Sequence, residues 1–341
     1  MDELPVIDVG PLVGRGDGDP RAVGAAIDAA CREVGFFLVT GHGVPPELVA
    51  RVEEGARRLF ALPERAKAAV SMAVGGRAWR GWFPLGGELT AGVPDAKEGF
   101  YLGAELPPDH PRVRAGVPLH GPNLFPAELP DLRPTVLAYL DEMTRLGHAL
   151  VRGVALGLGL EADWFERHLT GDPTVLLRFF RYPPARDAGE DRWGVGEHTD
   201  YGLLTILHQD GVGGLQVHGP DGWVTVPPRP GAFVCNLGDM LERLTRGRYR
   251  STPHRVRNDG DTDRLSIPFF FDPAWDAEVV PIPLEGAPPA PRRPRWDGAD
   301  LEAFEGTYGE YLLAKVRRVF PDLFAAAVEG EGRGSPGADG P

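Results

Sequence analysis

The chain has 341 residues, 42% hydrophobic and 25% charged, with 36 basic against 49 acidic side chains and a net charge of −13. That length and composition suit a soluble globular protein with a sizeable core, built as one large domain or two smaller ones. The acidic balance argues against nucleic acid or an anionic membrane as partner, and leaves open a small molecule in a locally basic pocket.

No basic stretch followed by an apolar one opens the chain, and no apolar run approaches a membrane span, so neither export nor membrane insertion is expected. Cys31 and Cys235 are too few for a disulfide framework, and both fall in apolar patterns. A cytoplasmic protein with buried, reduced thiols is the expectation.

Leu4 to Val9 reads as a first strand. Val23, Ile27, Ala30, Cys31 and Val34 then recur at helical spacing from about Pro20. Phe36 to Thr40 is a strand and Gly41 to Gly43 a turn. Pro45 opens the next helix, with Leu48, Val52 and Leu59 inward, and Pro63 begins a short one. Residues 71–95 form a glycine-rich loop region holding Trp79, Trp82 and Phe83, which either wall a substrate site or pack the loop onto a sheet. Prolines recur from Pro107 to Pro134, opposing regular structure and marking a seam.

Val136, Leu140, Met143, Gly147, Leu150, Val154 and Leu158 mark one face of a long helix, which Gly147 and Gly153 allow close to a neighbour. His148 falls off this face and reads, with His120 and His168, as structural. From Thr174 the pattern turns to β: Thr174 to Tyr182, Leu203 to Leu207, Gly214 to His218, Trp223 to Val226, Ala232 to Asn236, Ser251 to Arg257 and Leu265 to Phe271. Many short strands with turns such as Gly219-Pro220-Asp221-Gly222 indicate a sandwich or jelly roll. A last helix is expected from about Gly298 to Val319, and a disordered tail after it.

His198 and Asp200 stand two apart between a glycine-rich opening and the apolar run Leu203 to Leu207. In extended backbone such residues share a face, so an imidazole and a carboxylate can converge on one metal ion. His208 and Asp210 repeat the spacing, so the pair alone does not choose. Downstream come His254 in a β-like stretch and the pair Arg264 and Ser266 at the head of another. Two histidines and one carboxylate on a sheet, with coordination positions left over, are the facial triad of non-heme Fe(II) oxygenases, although zinc suits the same ligand types.

The ordered set of motifs resembles the isopenicillin N synthase-like family of Fe(II)/2-oxoglutarate-dependent dioxygenases over nearly the whole chain. Leu4-Pro5-Val6-Ile7-Asp8, Gly35 to Gly43, Lys97-Glu98-Gly99-Phe100-Tyr101, Phe180-Arg181-Tyr182-Pro183-Pro184 and Asn236-Leu237-Gly238-Asp239-Met240-Leu241 carry it, beside the His198/Asp200, His254 and Arg264/Ser266 signatures. The resemblance implies a mainly β fold with flanking helices around a double-stranded β-helix, or jelly-roll, core. It implies that His198, Asp200 and His254 hold Fe(II), and that Arg264 and Ser266 engage the distal carboxylate of the co-substrate 2-oxoglutarate, with O2 consumed and ascorbate as activator. Tyr182 matches a position that helps hold the co-substrate. Phe270 shares the face of Arg264 and Ser266, and the resemblance sets it against the primary substrate. Plant members commonly carry an asparagine in the strand before Tyr182. Here Arg178 and Arg181 alternate with phenylalanines, so an arginine such as Arg178 either binds a carboxylated substrate or is paired within the protein.

The implied reaction couples oxidative decarboxylation of 2-oxoglutarate to hydroxylation, desaturation or ring closure of a small metabolite. Two other readings fit the motifs. Oxidases of the same fold use the arginine and serine for a substrate carboxylate and need no 2-oxoglutarate; a non-catalytic metal- or metabolite-binding protein would have lost a ligand, and none is lost. The expected organisation is an N-terminal region 1–110, a proline-rich connection and long helix 111–170, the jelly-roll core 171–275, a C-terminal helix region 276–328 and the tail 329–341.

Overall fold

The computed structural model describes residues 3–184, 193–284 and 295–329. Its strands are β1 (Val6–Asp8), β2 (Phe36–Thr40), β3 (Gly81–Phe83), β4 (Leu89–Thr90), β5 (Val93–Pro94), β6 (Glu98–Gly103), β7 (Pro173–Tyr182), β8 (Val195–His198), β9 (Leu204–Gln209), β10 (Leu215–Gly219), β11 (Gly222–Val226), β12 (Phe233–Leu237), β13 (His254–Val256) and β14 (Arg264–Ala274). A large sheet runs β1-β2-β12-β9-β14-β7-β6-β3, and a second, four-stranded sheet runs β11-β10-β13-β8. These are the two sheets of a jelly roll, and the site lies between them.

The large sheet is continuous across the expected regional boundaries. β2 pairs with β12, and β6 with β7, so strands from before residue 110 extend the core sheet on both sides. β3 and β6 were not legible as strands, because glycines interrupt their short apolar runs.

Alternation along β14 decides what faces what. Leu265, Ile267, Phe269 and Phe271 are buried on one face, and Phe269 and Phe271 are wholly covered. The helix Leu132–Gly157 lies against that face. Gly147 makes the approach possible, because a Cβ there would collide with the Phe271 ring; Gly153 does the same against Ile27 and Leu12. The other face, with Arg264, Ser266 and Phe270, looks between the sheets.

Two helix expectations need correction. The long helix starts at Leu132 and takes in Pro134, which its first turn tolerates because the amide there has no intrahelical partner. The C-terminal helix spans Tyr308–Val319, starting ten residues later than the periodicity suggested and ending where expected. Asp297 and Asp300 accept the amides of Ala299 and Glu302, which turns the preceding chain. Gly306 has φ +134°, and Thr307 and Glu310 form a reciprocal capping box that fixes the start. Residues 330–341, the greater part of the expected tail, fall outside the described residues.

The glycine-rich region 71–95 is pinned down by its aromatics. Trp79 packs edge-on to Phe320 and Phe324, Trp82 Nε1 donates to Glu98 Oε2 at 2.9 Å, and Phe83 meets Tyr101, Phe180 and Phe320. No helix among the described residues is long and apolar enough to cross a membrane.

Candidate metal centre and its two flanks

β8 and β13 are antiparallel neighbours in which His198 and His254 are direct partners. Their rings stand 4.2 Å apart. β8 ends at His198, so Asp200 lies beyond the strand, where its carbonyl accepts the Asp239 amide at 2.8 Å. The chain nevertheless brings Asp200 Oδ1 to 3.8 Å from Nε2 of both histidines. One ligand atom from each of the three residues lies within 4.8 Å of the others, a group able to hold a metal ion.

Hydrogen bonds orient each donor. His198 Nδ1 contacts the Gly196 carbonyl at 2.8 Å and His254 Nδ1 the Thr252 carbonyl at 3.2 Å. A carbonyl only accepts, so each Nδ1 carries the proton and each Nε2 presents a bare lone pair. Asp200 Oδ2 is taken by Thr205 Oγ1 at 2.5 Å and Asn236 Nδ2 at 2.7 Å, which leaves Oδ1 for the ion. Burial opposes ionisation of Asp200, but His254, His198 and the two hydrogen bonds outweigh it and hold the carboxyl below its usual range. Burial first, then neighbouring His198, pushes His254 down to about 4, so it stands neutral, the form that binds a metal. Thr205 and Asn236 were not singled out from the sequence, although Asn236 heads one of the motifs carrying the resemblance.

The second histidine–aspartate pair is elsewhere. His208 lies within β9, on the face away from the triad, with Nε2 2.9 Å from Glu53 Oε2. Asp210 receives the Leu265 amide at 2.6 Å and Arg57 at 3.2 Å.

At one flank Arg264 is fully buried and opposite Tyr182 in the β14–β7 register, with Ser266 opposite Phe180. Arg264 Nη2 donates to Gln209 Oε1 at 3.2 Å, and the guanidinium stands 5.0 Å from the Tyr182 ring. Its Nε and Nη1 are buried without an acceptor among the described residues. Burial pulls the guanidinium pKa down, against Tyr182 and Asp210. A buried cation with unfilled donors is costly unless an anion completes it, so the donor set fits a carboxylate such as the distal one of 2-oxoglutarate.

Arg178 occupies the other flank, four residues before Tyr182 and therefore roughly 13 Å along the strand. Its guanidinium is held between the Tyr101 ring at 4.0 Å and the Phe270 ring at 4.8 Å. Among the described residues, the one carboxylate oxygen within 4 Å is Glu88 Oε1 at 3.8 Å, and Arg178 Nε is buried with no partner. Arg181, by contrast, is paired with Glu98 and Asp263 at 2.5 and 2.7 Å. Phe270 is half-buried where Phe269 and Phe271 are wholly covered. Glu88, in the glycine-rich region, carried no sequence signal; Tyr101 ends one of the motifs carrying the resemblance, but it was not singled out as a site residue.

Comparison with known proteins agrees with this arrangement. Residues 4–128 match the family described as "non-haem dioxygenase in morphine synthesis N-terminal", and residues 171–273 match the 2OG-Fe(II) oxygenase superfamily. A Dictyostelium discoideum protein named "probable iron/ascorbate oxidoreductase" is 44% identical, over 95% of this chain and 96% of its own length. A homoarginine-6-hydroxylase of Glycine max is 36% identical, over 94% of this chain and 98% of its own. Among solved structures, a full-length Neurospora crassa protein in complex with alpha-KG (2-oxoglutarate) and 5-formyluracil superposes with a TM-score of 0.75 at 26% identity, covering 92% of this chain and 96% of that one.

Proposed function

Because the chain belongs to the 2OG-Fe(II) oxygenase superfamily, we propose that His198, Asp200 and His254 are the three protein ligands of its iron. The protein is an oxidoreductase, a dioxygenase of small molecules that uses Fe(II), 2-oxoglutarate and O2, with ascorbate as activator. When bound, the iron and co-substrate supply the oxidative decarboxylation of 2-oxoglutarate to succinate and carbon dioxide and the oxidation of the substrate C–H bond. The oxidase that needs no 2-oxoglutarate is not favoured.

The chain's own residues divide the remaining work. Arg264 takes the distal carboxylate of 2-oxoglutarate, Ser266 adds a hydroxyl bond and Tyr182 walls the end of that site. The observation that carries this reading is the buried Arg264, whose Nε and Nη1 find no acceptor among the described residues. Phe270 and Arg178 face the primary substrate, Phe270 by packing and Arg178 by its guanidinium. The similarity to a homoarginine-6-hydroxylase, an enzyme of an amino acid, supports a carboxylated substrate. A cytoplasmic location belongs to the same reading, in keeping with the free, buried Cys31 and Cys235.

The test is conversion of 2-oxoglutarate to succinate by the purified protein with Fe(II), ascorbate and O2, slow without a primary substrate. No 2-oxoglutarate binding, together with O2 uptake on a carboxylated substrate, would reverse the assignment in favour of the oxidase.

A further inference from the structure

The flank around Arg178 holds more charge than a hydrophobic substrate needs. Glu88, Asp95 and Lys97 are all buried there. Lys97 Nζ reaches Glu88 Oε2 at 2.8 Å and Asp95 Oδ2 at 2.5 Å, and Asp95 also accepts from Thr90 at 2.9 Å. Glu88 Oε1 accepts the Tyr101 hydroxyl at 2.5 Å and stands 3.8 Å from Arg178 Nη1. Burial acts against the charged form of Glu88, yet Lys97 and Arg178 hold its carboxyl below the usual range, so it is an anion.

The buried acids Glu88 and Asp95 stand among the bases Lys97 and Arg178, with the fully buried Arg80 close enough to act on Arg178. A carboxylate placed on Arg178 also meets the Glu88 anion, and a plain amine placed on Glu88 also meets the Arg178 cation, each at a cost in a buried site. A zwitterion gives each of the two its opposite charge. Arg178 still lacks a hydrogen-bonded carboxylate, and Glu88 is the anion beside it. An α-amino acid joins its two charged groups through one carbon, so a carboxylate on Arg178 brings the ammonium to Glu88.

We propose that the primary substrate is a free α-amino acid whose carboxylate is held by Arg178 and whose ammonium is held by Glu88, with Tyr101 fixing both partners. This rests on the oxygenase reading above and adds the substrate class and the role of Glu88. Phe270, under the Arg178 guanidinium, then closes the head-group end of the pocket and leaves the side chain to run toward the metal.

The experiment uses the full chain with Fe(II) and 2-oxoglutarate under anaerobic conditions. The weak charge-transfer absorption of the iron-bound 2-oxoglutarate is followed while the common L-α-amino acids are added in turn. For each one that perturbs the band, its decarboxylated amine and its 2-hydroxy acid are titrated, with thymine as an uncharged comparison. At least one amino acid should bind, and loss of either charged group should weaken binding by roughly tenfold to a hundredfold. Glu88→Gln should bring the penalty for the 2-hydroxy acid close to one, and Arg178→Met should do so for the amine. A wild-type protein that binds the 2-hydroxy acid as tightly as the amino acid overturns the proposal, without need of a variant. So does a band that no amino acid perturbs, or one that thymine perturbs in their place. Absence of the band itself sinks the oxygenase reading, and with it this inference.

Discussion

Asn236 Nδ2 lies 2.7 Å from Asp200 Oδ2, and this contact, shared with Thr205, decides which carboxylate oxygen is left for a metal. Asn236 sits on β12 of the large sheet, whereas the histidines sit on the small one. The bond therefore ties Asp200 to the opposite layer of the jelly roll. Asn236→Leu should weaken Fe(II) binding by roughly tenfold to a hundredfold, the usual cost of losing an outer-shell partner. Anaerobic Fe(II) titration measures it, and an unchanged affinity would mean that Asn236 does not orient the carboxylate.

His208 separates spacing from geometry. Its pair with Asp210 has the same two-residue spacing as His198 and Asp200, but its ring is bound to Glu53 on the outer side of β9. His198→Ala should abolish Fe(II) binding, whereas His208→Ala should leave it intact. The reverse outcome, in the same titration, would move the metal site.

Much of this was legible in the chain, for identifiable reasons. Several strands from Thr174 onward carry short apolar or β-branched runs, such as Thr174 to Leu177, Leu203 to Leu207 and Ala232 to Cys235, and Arg264, Ser266 and Phe270 share a face by simple alternation. The pairing of His198 with His254 came through the resemblance and not from local pattern, because it rests on the β8–β13 register across 56 positions of sequence. What escaped depends on tertiary contacts. Asn236, Thr205 and Glu88 matter through what they touch, and no local pattern marks that. The late start of the C-terminal helix is set by Gly306 and the Thr307–Glu310 box, which the apolar periodicity of Leu301 and Phe304 outweighed on paper.

Phe270 and Phe271 make a matched pair on opposite faces of one strand. Phe271 is wholly buried against the long helix, so Phe271→Ala should cost about 3–5 kcal/mol of stability. Phe270 lies under Arg178 at 4.8 Å, so Phe270→Ala should instead uncouple the reaction: 2-oxoglutarate is still consumed while product formation falls. The ratio of product to succinate, beside the melting temperature, distinguishes them. If Phe270→Ala melts early and stays coupled, it is a packing residue.

Asp272 should give the apo-protein a pH-dependent stability. Burial pushes its carboxyl from an ordinary 3.8 up to about 7, while the Leu203 amide at 3.0 Å and the Tyr308 hydroxyl at 2.6 Å act against the rise. Between those values the folded state keeps a proton that the unfolded chain releases. The contribution of Asp272 is therefore fully present below its unfolded pKa and is lost as pH rises through about 7. Relative to Asp272→Asn, whose amide does not titrate, the wild-type melting temperature should fall from roughly pH 4 to pH 7. Parallel melting curves for the two proteins would show that this carboxyl titrates normally.

The most direct test of the central claim is the anaerobic absorption spectrum of the protein titrated with Fe(II), with and without 2-oxoglutarate. Wild-type protein should develop the weak charge-transfer band only when both are present. His254→Ala should not develop it, and Arg264→Ala should need far more 2-oxoglutarate, since losing one partner of a buried charge pair costs roughly 2–5 kcal/mol. A wild-type protein that binds Fe(II) but shows no band with 2-oxoglutarate, or an Arg264→Ala variant that saturates at the same concentration as wild type, would contradict the account.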